Sequence, residues 1–185
     1  MAVYGTHGKS MIIEFLKVDD KSIKVQNSFN SGISSALLHA DWSRDSGAIS
    51  INTQAAELLY YTINTTGKCS SASSLRDEPW STWTQKFGFP VQGIYQNPDY
   101  TDINTVCRDP TGKFLAVGYD DQCIRLFKYP TYIPKQVHKT LYGHSSHVTR
   151  IRFTPHYMVS LGGLDRTIIV WDLDRGDEEV KENQD

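Results

Sequence analysis

Short runs of apolar and β-branched residues, separated by turn residues, recur along the chain. The clearest set lies at residues 147–153, 157–161 and 167–173. Residues 154–156 and 162–165, which are rich in Pro, Gly and Asp, separate these runs. Runs of this length bounded by such residues predict β-strands joined by tight turns. This part of the chain is therefore expected to be an antiparallel sheet.

The same plan appears one step upstream. Its runs lie at 103–108, 114–117 and 122–128, and its turns lie at 109–112 and 118–121. Asp121 precedes Phe127 by six residues, as Asp165 precedes Trp171. The two segments match in the order of their runs, in the positions of their turns and in this spacing. They indicate an internal repeat with a period of about 40 residues.

Two further units can be read nearer the beginning of the chain, one of them with runs at 35–43, 48–52 and 57–63. The sequence predicts units at 1–34, which lacks a first strand, at 35–101, at 102–142, and at 143–174, which lacks a fourth strand. The second unit holds a long insertion at 64–101, in which 80–84 and 88–95 are strand-like and 80–84 is a candidate fourth strand. Residues 175–185 carry five acids and two bases and are expected to be a disordered acidic tail.

The last unit has the residues that mark WD repeats. Repeats of about 40–45 residues with four short strands, Gly-His at the start and Trp-Asp at the end are typical of this class. Here the set is His144, Ser160, Asp165 and Trp171, which we expect to form one hydrogen-bonded chain that satisfies buried polar groups. The earlier units depart from this set, with Ala55, Tyr61 and Phe127 at the corresponding positions. The pattern predicts an all-β, WD-repeat β-propeller fold.

Ser160, His144 and Asp165 are also the residue types of a hydrolase triad. A nucleophilic serine needs an exposed, strained turn and an oxyanion hole, as in G-x-S-x-G. The sequence contains no such motif, and Ser160 lies within an apolar run. Both nucleotide-binding glycine motifs are missing as well. We therefore expect a structural tetrad and a non-catalytic protein that has no cofactor.

Composition excludes several other classes of protein. The 185 residues carry 19 Lys and Arg against 21 Asp and Glu, and Lys and Arg do not cluster in the sequence beyond pairs. This distribution argues against nucleic-acid binding and against a polybasic contact with a membrane. No run of about 18 apolar residues predicts a membrane span. The chain is expected to be soluble and intracellular.

The cysteines and aromatic residues are expected to be structural. The three cysteines have no C-x-x-C spacing, so the sequence predicts free thiols and no metal site. Trp42, Trp80 and Trp83 could form an aromatic ligand patch, but core packing is favoured. Phe89 and Tyr95 could lie at a surface, and burial in a connecting strand is the favoured alternative.

The sequence resembles the echinoderm microtubule-associated protein-like family over nearly all of residues 2–173. The resemblance depends on the stretch at 80–129, including Gly-Phe-x-Val-x-Gly at 88–93, and on the runs at 101–104 and 143–149. It implies the last blades of the second of two tandem propellers, which engage tubulin. It also implies a location on cytoplasmic microtubules and, for some members, in the cilium or axoneme. Coiled-coil and basic segments that assist binding in this family have no counterpart here.

The length of the chain limits how much of a propeller it can form. At a period of about 43 residues the chain holds about four blades, whereas closing seven blades needs about 300 residues. We expect a portion of a larger propeller, completed by missing blades or other protein chains, which on its own exposes blade faces and aggregates. The predicted function is a non-catalytic protein-interaction segment of a microtubule-associated protein that binds tubulin or microtubules. The alternative is a WD-repeat scaffold for other partners.

Overall fold

A computed structural model describes residues 12–33, 35–63, 67–69, 71–95 and 102–173. The run expected at 2–5 and the acidic tail at 175–185 lie outside the described residues. The chain divides into two compact units, Met1–Phe89 and Pro90–Asp185.

The described residues form thirteen strands in four antiparallel sheets, and none of these sheets closes on itself. The strands are β1 Ile12–Asp19, β2 Ser22–Asn30, β3 Leu37–Trp42, β4 Ala48–Thr53, β5 Leu58–Thr62, β6 Gly67–Lys68, β7 Ile103–Arg108, β8 Phe114–Tyr119, β9 Ile124–Lys128, β10 His138–Leu141, β11 Val148–Phe153, β12 Tyr157–Gly162 and β13 Ile168–Asp172. 3₁₀-helical segments lie at Ala72–Leu75 and Phe89–Ile94, and the second is kinked at Val91, whose φ of −126° is not helical. The predicted all-β fold class is confirmed.

The first unit contains the hairpin β1–β2 and the sheet β3-β4-β5-β6. Asp19 closes the hairpin turn, because its carboxylate accepts the backbone N–H groups of Lys21 and Ser22 at 3.1 and 2.8 Å. Alternate residues of β1 point into the core of this unit. The buried core consists of Ile13, Phe15, Ile33, Ile49, Ile51, Leu59 and Tyr61. The two sheets therefore pack face to face through aliphatic and aromatic side chains.

The second unit contains the sheet β10-β9-β8-β7 and the sheet β11-β12-β13. β11 begins beside β7 and β8. Thr105 on β7 and Val148 on β11 both lie against Gly118 on β8, where an added Cβ would be 2.8 Å from Thr105 Cγ2 and from Val148 Cγ1. The core between the two sheets consists of Cys107, Ala116, Ile124, Val148, Ile151 and Met158. Trp171 on β13 packs against this core, and its indole N–H bonds to Ser160 in the last sheet.

The long insertion differs from its prediction. β6 pairs with Tyr61 and Thr62 and is the fourth strand of its sheet, whereas 80–84 contributes only one isolated bridge, from Trp80 to Ser43. Residues 89–94 form 3₁₀ turns with a kink at Val91, so the strand predicted at 88–95 is wrong. Pro90 has no N–H to donate to a ladder, which disfavours a paired strand there.

The described residues contain two short 3₁₀ segments and no α-helix. Within the described ranges, no helix is long and apolar enough to cross a membrane.

Candidate functional site

Two strands of the last sheet and two connecting segments bring the predicted tetrad together. His144 lies on the connection from β10 to β11, and Ser160 lies on the central strand β12. Asp165 is in the turn between β12 and β13, and Trp171 is on the edge strand β13. Ser160 has no exposed surface, and the side chains of His144 and Asp165 are almost completely buried.

Three hydrogen bonds connect the four side chains. Trp171 Nε1 donates to Ser160 Oγ at 2.9 Å, and the same hydroxyl oxygen lies 2.7 Å from His144 Nε2. His144 Nδ1 lies 3.2 Å from Asp165 Oδ2. The ionised Asp165 carboxylate can only accept, so His144 Nδ1 donates to it, and Nε2 of the neutral imidazole accepts from the Ser160 hydroxyl, which itself accepts from the indole N–H.

The Asp165 carboxylate is held by more groups than His144 alone. The backbone N–H groups of Ser145 and Thr167 donate to it at 3.0 and 3.3 Å. Burial alone raises the pKa of Asp165, but these N–H donors, with the side chains of Thr167 and His144, keep the net pKa below the ordinary value of 3.8. Thr167 Oγ1 also lies 2.9 Å from His144 Nδ1. The tetrad is thus a five-residue polar cluster, and no fixed spacing in the sequence points to Thr167.

The turn that carries Asp165 requires glycine. A Cβ added at Gly162 would lie 1.8 Å from Asp165 Oδ1, and a Cβ added at Gly163 would lie 2.2 Å from His147 Cε1. Both contacts are far shorter than a side chain tolerates. The Gly-Gly pair therefore allows the carboxylate to fold back over the end of β12 and meet His144.

Ser160 is poorly placed to act as a nucleophile. Its Oγ is buried in the sheet and is engaged by both Trp171 and His144. A serine nucleophile needs a free path to the substrate and donors for the oxyanion. The arrangement satisfies buried polar groups and joins β13 to the chain before β11.

The sheet β7–β10 uses different partners at the corresponding positions. Asp121 pairs with Arg125 across 2.5 Å, and the Arg125 guanidinium lies 4.2 Å from the centroid of the Tyr119 ring. Phe127 is buried and its ring centroid lies 5.0 Å from that of His138. Packing and an ion pair therefore replace the hydrogen-bonded chain in this sheet.

A second buried polar cluster, in the first unit, has no counterpart in the sequence analysis. The carboxylate of Asp41 accepts hydrogen bonds from the hydroxyl of Thr82 at 2.6 Å and from the backbone N–H of Thr84 at 2.8 Å. Ser50 Oγ also donates to Gln85 Oε1 at 2.9 Å. These partners are more than 30 residues apart, so no local motif signals them. The cluster fastens the middle of the insertion to β3 and β4.

The aromatic residues considered as a ligand patch pack inside the first unit. Trp80 and Trp83 are buried edge to face, with ring centroids 5.9 Å apart. Trp42 packs edge to face on Phe15 at 5.5 Å. Tyr60 lies 5.8 Å from Trp80, and burial raises the pKa of Tyr60 to about 12. Phe89 and Tyr95 are half-buried, one within and one just beyond the 3₁₀ helix.

The cysteines and histidines do not form a metal site among the described residues. Cys69, Cys107 and Cys123 are not joined in disulfides, and the last two are buried.

Comparison with known proteins assigns the chain to a family. The family model described as "Echinoderm microtubule-associated protein second beta-propeller" matches residues 3–173. The "77 kDa echinoderm microtubule-associated protein" of Lytechinus variegatus is 38% identical over 146 residues, which are 77% of this chain and 22% of that relative. "Echinoderm microtubule-associated protein-like 3" of Mus musculus is 40% identical over 147 residues, 76% of this chain and 16% of that relative. The chain spans less than a quarter of the length of these relatives.

A solved structure supports the same fold. A chain in the "Crystal Structure of Mitotic Checkpoint Complex" matches with a TM-score of 0.56 and 14% identity, over 88% of this chain and 56% of that chain. At this identity the likeness concerns the fold alone.

The sheets, the tetrad and the family match define part of a WD-repeat β-propeller. The chain belongs to the echinoderm microtubule-associated protein family and corresponds to the second propeller of that family. The resemblance seen in the sequence is confirmed.

Proposed function

We propose that this chain is a non-catalytic interaction segment of a microtubule-associated protein and that it binds tubulin or microtubules through its propeller surface. The match of residues 3–173 to the family's second propeller carries this proposal. The names of the relatives, which are microtubule-associated proteins, support it. We also propose that the protein is located on the microtubule cytoskeleton of the cytoplasm, and in the cilium or axoneme where the cell has one.

The buried tetrad supports a structural role over a catalytic one. His144, Ser160, Asp165 and Trp171 satisfy one another inside the last sheet. Rigid sheets of this kind present loops and sheet edges in fixed positions, which lowers the entropy cost of binding a partner. We therefore propose that His144, Ser160, Asp165 and Trp171 stabilise a binding scaffold.

We propose that the repeat units are 1–34, 35–101, 102–142 and 143–174, and that further blades, or other protein chains, complete the propeller. In support, β3–β6 fall within 35–101, β7–β10 within 102–142 and β11–β13 within 143–174. The chain also spans only a small share of the relatives' length.

Co-sedimentation with polymerised microtubules tests the proposed function. The purified chain is pelleted with and without microtubules, is assayed in parallel with soluble tubulin, and is checked for folding by a thermal melt. Saturable pelleting of a cooperatively folded sample is the expected result. A folded sample that binds neither form contradicts the tubulin proposal and favours the alternative, a scaffold for other partners.

A further inference from the structure

The sheets β3–β6, β7–β10 and β11–β13 have the same register, so one face of each can be compared position by position. In each sheet the first strand has a bulge at its second residue, which is Leu38 in β3, Asn104 in β7 and Thr149 in β11. Because side chains alternate along a strand, counting from the bulge gives equivalent positions. In the last sheet these positions form a surface that we call the outer face: Arg150, Arg152, Val159, Leu161, Ile168 and Val170.

In the sheet β3–β6 an irregular segment of the insertion, residues 80–87, covers the equivalent positions. Asp41 accepts hydrogen bonds from two threonines of this segment, and Ser50 donates one to its glutamine. The ring centroids of Tyr60 and Trp80 lie 5.8 Å apart. The face of a sheet with this register therefore binds a linear segment whose side chains match the polar and aromatic groups of the face.

In the sheet β7–β10 the next sheet covers the equivalent positions instead. An added Cβ at Gly118 would lie 2.8 Å from Val148 Cγ1, so the two sheets approach closely there. Small residues allow this approach at the four central positions, Thr105, Cys107, Ala116 and Gly118. The outer face of the last sheet has a larger residue at each of these positions. A further sheet cannot approach the last sheet as closely, which favours a linear segment as its cover.

The apolar part of the outer face is open to solvent. Ile168 is 70% exposed, whereas its equivalent in β9, Ile124, is 0% exposed. Val170 is 60% exposed, whereas its equivalent in β5, Tyr60, is 2% exposed. Exposed apolar groups beside charged ones are a feature of surfaces that bind other proteins.

Both arginines of the outer face are exposed on β11. Arg152 Nη1 donates to the backbone oxygen of Ile151 at 2.7 Å, which holds the guanidinium near the strand. A guanidinium has five N–H donors, and this bond uses one of them. Arg150 lies two residues away on the same face, and β12 separates both arginines from Asp172 on β13. The pair favours a partner that carries carboxylates.

We propose that the outer face of the last sheet binds an acidic linear segment of a partner protein. Arg152 occupies the position at which Asp41 accepts hydrogen bonds, so the partner must present acceptors in place of donors. Its carboxylates contact Arg152 and the neighbouring Arg150, since a planar guanidinium matches a carboxylate in geometry and charge. Apolar side chains of the same segment pack on Ile168 and Val170. The inference deepens the interaction function proposed above and rests on it.

Fluorescence anisotropy with designed peptides tests this inference on the full chain. The probe is fluorescein-labelled Trp-Ser-Glu-Trp-Glu-Leu-Lys-Phe, which is the sequence of residues 80–87 with Glu at both threonines and Leu at the glutamine. A neutral version has Gln in place of both Glu residues. The chain should bind the acidic peptide saturably and the neutral peptide on the order of tenfold more weakly, because the charge-assisted hydrogen bonds are lost.

Reversing the charge of the outer face should reverse the preference for peptides. Arg150→Glu/Arg152→Glu should weaken binding of the acidic peptide on the order of tenfold or more, since like charges then face each other. The same variant should bind a version of the peptide with Lys in place of both Glu residues. Ile168→Ser/Val170→Ser should weaken binding of the acidic and neutral peptides by equal factors.

A matched variant controls for net charge. Lys17→Glu/Lys24→Glu changes the charge equally at exposed positions of the first unit and should bind like the unmodified chain. Equal loss in the two charge variants, or no loss in Arg150→Glu/Arg152→Glu, overturns the inference. A thermal melt of each variant confirms that loss of binding is not loss of folding.

Two other occupants of the outer face give distinct results. If Asp177→Asn/Glu178→Gln/Glu179→Gln tightens binding of the acidic peptide, acids of the same chain compete for the face and the assignment to a partner fails. If the chain binds no peptide and forms a dimer that Arg150→Glu/Arg152→Glu separates in sedimentation velocity, a second copy is the occupant and the inference is wrong.

Microtubule pelleting of the unmodified chain tests the proposed function separately. Peptide binding that follows the expected pattern supports this inference whether or not the chain pellets with microtubules. A chain that pellets but does not bind the acidic peptide upholds the proposed function and overturns the inference.

Discussion

At the scale of single residues, the Ser160 hydroxyl joins two side chains of the last sheet. Trp171 donates to it, and it donates in turn to His144, which is 7% exposed. Removing this hydroxyl leaves a buried imidazole nitrogen and an indole N–H without partners. A buried polar group without a hydrogen-bond partner lowers the free energy of unfolding by more than an average hydrogen bond contributes to it.

Ser160→Ala should therefore lower the free energy of unfolding by about 1–3 kcal/mol. Urea denaturation followed by tryptophan fluorescence measures this change. Ser73→Ala, at an exposed position of the first 3₁₀ helix, is the control and should leave stability unchanged. An ester-hydrolysis activity that Ser160→Ala abolishes without destabilising the chain would contradict the structural role of Ser160.

The Asp165 carboxylate makes a pH-dependent contribution to stability. Its folded-state pKa lies below 3.8, so the ionised form stabilises the fold above that pH. This contribution is lost as the pH falls through the lowered folded-state pKa, in the range below about pH 4. The free energy of unfolding of the chain should exceed that of Asp165→Asn at neutral pH. Urea titrations at decreasing pH should show the gap closing, and a gap independent of pH would contradict the lowered pKa.

The residues of the tetrad could be predicted from the sequence because their spacing is local. All of them lie within one repeat, between Gly143 and Trp171. Asp41 could not be predicted in this way. Its partners Thr82 and Thr84 lie within the long insertion, and only tertiary packing brings that segment back to β3.

At the scale of elements, the strands follow the sequence well and the insertion does not. Alternating apolar residues and Gly/Pro/Asp turns define β7–β9 and β11–β13, because side-chain alternation is a direct consequence of strand geometry. The segment at 88–95 contains strand-forming residues but forms 3₁₀ turns with a kink at Val91. Its conformation depends on the β9–β10 loop, which bonds to Pro90 and Gly93.

Gly93→Ala should disturb this junction. A Cβ at residue 93 would lie 2.2 Å from Thr131 Oγ1 and 2.5 Å from the backbone oxygen of Ile133, so the loop must move. The expected loss of stability is about 1–3 kcal/mol, typical of overpacking. Hydrogen exchange should show less protection at the amides of Thr131 and Gln136.

Gln92→Ala is the matched control for that variant, since Gln92 is the exposed neighbour of Gly93. Its exchange pattern should equal that of the unmodified chain. If Gly93→Ala also left the protection of Thr131 and Gln136 unchanged, the loop would not depend on this close approach.

At the scale of the whole molecule, the chain has apolar sheet surface exposed to solvent. Ile168 and Val170 on the edge strand β13 are 70% and 60% exposed, and they pair with Leu161 and Val159 on β12. In the first unit, Val18, Ile23 and Val25 are also exposed. Apolar patches and unpaired sheet edges promote association with other chains.

We expect the isolated chain to self-associate, and Ile168→Lys/Val170→Lys to reduce this. Charge on the face and edge of β13 opposes packing and pairing by another sheet. Sedimentation velocity over a concentration series measures the change. Leu164→Lys, at an 86% exposed turn residue off this face, should leave association unchanged. A chain that stays monomeric at every concentration would contradict the expectation.

The sequence by itself determined the all-β class, the repeat of strands and turns, the tetrad residues and the family. These features depend on local spacing, which strand geometry and tight turns impose directly. Only the tertiary structure decided where the insertion packs and which groups surround Asp165. Those relations join residues far apart in the chain, and antiparallel pairing, not sequence spacing, brings them together.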